Sequence, residues 1–124
     1  MTSPPAPYLL QALIAAEHAI ALRAPDTRWD RIVERYDGLL ALRDSPVVRL
    51  NRAVALAERD GAGAGLVALD GIALPGHRLP AVRAELLARL GRADEARRAY
   101  DAALALCRND AEGADLRKRR SALD

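Results

Sequence analysis

Arg83-Ala84-Glu85-Leu86-Leu87-Ala88-Arg89-Leu90-Gly91-Arg92-Ala93-Asp94-Glu95-Ala96-Arg97-Arg98-Ala99-Tyr100-Asp101-Ala102-Ala103-Leu104 is the stretch that decides the fold of this chain. Val82, Leu86, Leu87 and Leu90 recur at three- and four-residue spacings, which places them on the inward side of a helix predicted over about Leu79 to Leu90. Gly91 then stands where a left-handed residue closes a helix, a conformation that glycine adopts without a Cβ penalty. The same periodicity resumes from Ala93 to about Cys107, on Ala96, Tyr100, Ala103 and Leu104. The stretch is a helix–turn–helix unit.

Outward from it, the chain reads the same way. Asn109-Asp110 stops the preceding helix and caps a last, mostly polar one that ends at Arg117-Lys118-Arg119-Arg120. Upstream, Leu9, Leu10, Leu13, Ile14, Ala16 and Ile20 predict a helix over Tyr8 to Arg23, broken by Ala24-Pro25-Asp26-Thr27. Asp26 or Thr27 is placed to cap a second helix whose stripe is Trp29, Ile32, Val33, Tyr36, Leu39 and Leu40. Asp44-Ser45-Pro46 sets a polar cap before a proline at the first helical position, and the third helix follows to about Arg59. Its aligned positions are Val47, Leu50, Val54 and Ala57, with Ala53 beside them. Gly61-Ala62-Gly63-Ala64-Gly65 reads as a loose turn before a short helix carried by Leu66, Val67 and Leu69, which Gly71 and Pro75-Gly76 end. No stretch alternates with period two. The fold class is all-α, with residues 1–7 an extended lead-in and 8–124 a single helical domain.

Composition agrees. A chain of 124 residues suits one domain, and a formal charge of +2 sets up no strong field toward nucleic acid or an anionic membrane. Aromatics are 3% with no Phe, so the core must be Leu, Val, Ile and Ala, a palette that favours helices over a sandwich or barrel. Cys107 is the single cysteine, which excludes an internal disulfide and a cysteine-based zinc cage. With only His18 and His77 beside it, neither a metal site nor a cofactor is expected. No apolar run approaches the ~20 residues that span a bilayer, and Met1-Thr2-Ser3-Pro4-Pro5 lacks the regions of a signal peptide. The expected setting is cytoplasmic and reducing.

Self-similarity separates a solenoid from a closed bundle. Trp29, Ile32, Tyr36 and Leu39-Leu40 align with Gly63, Leu66, Asp70 and Ala73-Leu74, and then with Ala93, Ala96, Tyr100 and Ala103-Leu104. The offsets are 34 and 30 residues, near the period of the tetratricopeptide (TPR) repeat. The third unit resembles that pattern through Ala84, Leu87, Gly91, Ala96, Tyr100 and Ala103. Small residues there let neighbouring helices approach, and the aromatic fills the gap between units. The middle unit is poorer, with Val54 at a small position and Asp70 at the aromatic one. About three TPR-like helix pairs and a C-terminal capping helix are expected.

Whole phrases carry a narrower likeness. Leu13-Ile14-Ala15-Ala16-Glu17-His18-Ala19, Asp26-Thr27-Arg28-Trp29-Asp30-Arg31-Ile32-Val33 and Tyr36-Asp37-Gly38-Leu39-Leu40 are followed by Ser45-Pro46-Val47-Val48-Arg49-Leu50-Asn51-Arg52-Ala53-Val54-Ala55. Together with the 83–92 stretch, this order resembles the TPR-like C-terminal extension of a subgroup of bacterial extracytoplasmic-function (ECF) RNA polymerase sigma factors. The resemblance implies a protein–protein interaction domain that modulates transcription initiation. Its partners would be sigma-factor core domains, RNA polymerase or a regulatory protein. The promoter-gripping sigma regions are absent from these residues, so no direct nucleic-acid binding, and no membrane, is expected of them. The alternative is a free-standing TPR-like scaffold or adaptor unrelated to transcription.

No catalytic constellation emerges, and an enzyme is not expected. His18 reads as a packed histidine without a positioned second group, His77 as an exposed loop residue, and Cys107 as a small half-buried core residue. The glycines of 61–65 lack the Lys-Ser/Thr ending of a phosphate loop. The basic cluster at 117–120 reads as favourable charge at a helix C-terminus. Transferring the repeat frame gives Glu17, Asn51, Glu58, Arg59, Glu85 and Arg89 as the residues facing a protein-binding groove. Asn51 is a poor helix former in mid-helix, and its carboxamide can bond a peptide backbone in both directions.

Overall fold

Residues 28–124 are described by the structure, a computed structural model. The predicted first helix, with Glu17 and His18, and the cap candidates Asp26 and Thr27 lie outside them. The described residues form six α-helices and no strand: α1 Trp29–Leu42, α2 Pro46–Asp60, α3 Ala62–Ala68, α4 Arg78–Arg89, α5 Ala93–Leu106 and α6 Asp110–Ser121. None is long and apolar enough to cross a membrane.

Local chemistry sets several of the ends. The Val48 N–H donates to Ser45 Oγ at 3.4 Å with Pro46 at the first position of α2, as the Asp44-Ser45-Pro46 run predicts. The Glu112 N–H donates to Asn109 Oδ1 at 3.0 Å at the start of α6. Gly91 has φ +76°, and the N–H groups of Gly91 and Arg92 donate back to the carbonyls of Ala88 and Leu87, both at 3.0 Å. That pair of bonds is a Schellman closure, so a side chain at position 91 would be strained.

Each helix packs on its neighbours in the chain, and α2 also reaches α4. Three clusters of buried side chains result. Ile32, Val33, Tyr36 and Leu39 of α1 meet Val48, Ala55 and Leu56 of α2. Leu50, Ala53 and Ala57 on the other side of α2 meet Leu69 after α3 and Leu79 and Leu86 of α4. Ala84 and Leu87 of α4 then meet Ala96, Ala99, Tyr100 and Ala103 of α5 and Leu116 of α6. Ala68 packs against the first and second clusters and Leu66 against the second and third, so α3 joins all three.

The structure corrects the expected core at four places. Val47 of α2 is 42% exposed, because α2 is buried on two opposite sides and Val47 falls on the strip between them. Val67 is 71% exposed on the outer side of α3, and Leu90 is 43% exposed where α4 has already closed onto Gly91. Gly61–Gly65 is not a loose turn. Only Gly61 is outside the helix, and Gly65 is buried against α2. A Cβ on Gly65 would lie 2.6 Å from Ala57 Cβ and 2.9 Å from the Ala53 carbonyl oxygen, so the glycine sets how closely α3 approaches α2.

Candidate functional site

The same geometry that buries α2 on two sides leaves one strip open, and two of the predicted groove residues lie on it. Asn51 and Glu58 are seven residues apart, two helical turns, and share a face. Arg52 and Arg59 follow each by one residue and are turned about 100° away. Arg52 Nε accordingly donates to Asp37 of α1 at 2.7 Å. Arg59 is bidentate on its neighbour Asp60 at 2.9 and 3.0 Å, and the carboxylates of Asp30 and Asp37 of α1 act on it as well. Arg59 therefore belongs to the α1 side and not to the strip.

On α4 the matching strip is Arg78, Glu85 and Arg89, again at helical spacings of seven and four. The two strips meet through side chains. Arg78 Nη2 donates to Asn51 Oδ1 at 2.9 Å, and Arg89 donates to Glu58 at 3.0 Å and to Glu85 at 2.9 Å. Partial burial disfavours the charged Arg89 guanidinium, but its bond to Glu58 and the charge of Glu85 outweigh this and hold its pKa above the usual value. Glu85 lies 3.7 Å from Arg119 of α6, which in turn donates to Asp115 at 2.9 Å. Asn51, Glu58, Glu85 and Arg89 are thus brought together on one polar face across α2, α4 and α6. Glu17 lies outside the described residues.

Beside this face, between α4 and α6, is a groove of about 370 Å³. Ala81, Val82, Leu116 and the ring of Tyr100 make it apolar, and Arg78, Glu85, Asp115 and Arg119 supply its charge. Tyr100 is only 3% exposed, and its hydroxyl makes no hydrogen bond among the described residues. Burial raises its pKa, with Arg119 opposing and Glu85 and Asp115 adding to the shift. Tyr36 holds the corresponding place in the first unit. Burial pushes its pKa up to about 12 despite the nearby charge of Arg78.

At one end of the groove the structure departs from the sequence reading. His77 is half-buried, not an exposed loop residue, and its Nε2 lies 2.8 Å from Glu112 Oε2. Cys107 is half-buried as expected, its thiol donating to the Asn109 carbonyl at 3.3 Å. One ligand-type atom each from His77, Cys107 and Glu112 falls within a common distance of 4.8 Å. These residues are 30 and 35 positions apart at the extremes, so no motif spacing announces them. Within the basic cluster, Arg119 pairs with Asp115 and Arg120 Nε donates to Asp101 at 2.7 Å.

The chain is 45% identical over 119 residues to an uncharacterised protein of Rhizobium meliloti (strain 1021), a match covering 91% of this chain and 27% of that protein. The chain thus spans about a quarter of the length of this curated relative. No protein-family description and no solved structure matches it.

Proposed function

We propose that the chain is a protein-docking module, a TPR-like array serving as the regulatory extension of an ECF sigma factor. The observation that carries the reading is the single polar face running across α2, α4 and α6 beside an apolar-floored groove. Such a surface receives a partner segment by burying its apolar side chains, while fixed polar groups set the register. The packing order supports the array: each helix lies on its chain neighbours, and α2 contacts α4 as the first helices of successive repeats do. Tyr36 and Tyr100 stand at the same place in the first and third units. The phrases around Ser45-Pro46 and Arg83–Arg92 supply the tie to sigma factors. Similarity to one quarter of a much longer relative suits a module that works attached to other domains.

Partners of this face are sigma-factor core domains, RNA polymerase or a regulatory protein. Calorimetric titration of the chain with purified ECF sigma core regions tests the reading. Binding is expected, and Asn51→Ala combined with Glu85→Ala weakens it about tenfold, or about 1.4 kcal/mol, with the melting temperature almost unchanged. Failure of the sigma core to bind removes the sigma-factor assignment. Binding that the double variant leaves intact removes the groove assignment.

A further inference from the structure

His77, Cys107 and Glu112 come from three separate elements: the residue before α4, the residue closing α5 and the first turn of α6. We propose that they form a binding site for a zinc-class divalent ion. The donor set is one sulfur, one imidazole nitrogen and one carboxylate oxygen, the mixture that suits a borderline-soft ion and not magnesium or calcium. Donor atoms around tetrahedral zinc lie roughly 3.4–3.6 Å apart, given metal–ligand bonds of about 2.0–2.3 Å. Here the donors are all within 4.8 Å, with His77 Nε2 and Glu112 Oε2 2.8 Å apart. Binding the ion would therefore spread the close pair and draw in the sulfur.

Charge balances as well. Binding releases the thiol proton to solvent and leaves the imidazole neutral, so thiolate and carboxylate together cancel the charge of a dication. The Cys107 thiol is oriented by the hydrogen bond it donates to the Asn109 carbonyl at 3.3 Å. The Arg117 guanidinium is a near neighbour, since it and the Cys107 sulfur both lie within 4 Å of the Cβ position of Gly113. His77 and Glu112 also line the groove. The fourth coordination position is therefore open to water or to a donor atom of whatever the groove holds. The ion would tie the start of α4 to the α5–α6 turn, a clasp independent of the docking partner's identity.

Cobalt(II) titration of the reduced full chain tests this. Saturation at one equivalent is expected, with a near-ultraviolet thiolate charge-transfer band and tetrahedral visible bands that zinc(II) abolishes. Cys107→Ser removes the charge-transfer band while circular dichroism stays helical. His77→Ala and Glu112→Gln each weaken cobalt binding at least tenfold. Zinc raises the melting temperature of the wild type and not of Cys107→Ser. Absence of the charge-transfer band overturns the site, as does an unchanged affinity in His77→Ala or Glu112→Gln, which would reduce it to a lone surface thiol.

Discussion

The α2–α3 and α4–α5 hairpins align in sequence yet close by different physics. In the third unit a fourteen-residue α5 carries Tyr100, whose ring fills the space below α4 and α6. In the middle unit α3 is only seven residues long and ends before the aromatic position, where Asp70 stands exposed. The missing ring is compensated by proximity: Gly65 brings the α3 backbone against Ala53 and Ala57. An aromatic spacer holds two helices apart over a floor, whereas a glycine draws them together and leaves no floor. The groove accordingly lies over Tyr100.

The contrast is broken most severely at Tyr100. Tyr100→Ala empties a buried site and is expected to cost about 3–5 kcal/mol in urea unfolding, whereas Asp70→Ala, at the aligned position, costs less than about 0.5 kcal/mol. Gly65→Ala forces the added methyl into Ala57 and a carbonyl and should cost about 1–3 kcal/mol. Gly63→Ala meets nothing within 4 Å and should instead stabilise α3 by about 0.5–1 kcal/mol. If the two glycine variants behaved alike, the close-approach account of the middle hairpin would fail.

Alkaline pH tests the first unit through Tyr36. Tyr36 titrates at about 12 in the fold against 10 when unfolded. The native state therefore keeps the proton more tightly, its contribution is complete below pH 10, and stability is lost as pH rises from 10 toward 12. Melting temperatures at pH 9 and 11 should differ less in Tyr36→Phe than in the wild type. Smallest of all is Arg120→Ala. Its partner Asp101 is 57% exposed, so the loss should be barely measurable in urea unfolding and shrink further in salt.

What was legible in the sequence was local. Gly91, Ser45-Pro46 and Asn109 announce helix ends through backbone chemistry confined to a few residues, and the structure uses them so. The helical periods of α1, α4 and α5 likewise announced Ile32, Tyr36, Leu86, Leu87, Ala96 and Tyr100 as core. The 61–65 glycines misled because their role depends on a second helix that propensity does not see. Val47 misled because a helix buried on two sides has no single apolar stripe. Within the candidate site, the seven-residue step from Asn51 to Glu58 carries the shared face, and the same rotation turns the adjacent Arg59 to the α1 side. The meeting of His77, Cys107 and Glu112 had no sequence signal, since only the stacking of α4 through α6 creates it.

The seven residues of α3 have one more implication. Because Leu66 and Ala68 each serve two clusters, the three clusters of the described residues run into one continuous core. Amide protons in α1 and in α5 should then exchange through the same global opening, and severing the backbone near Val67 should abolish order at both extremities together.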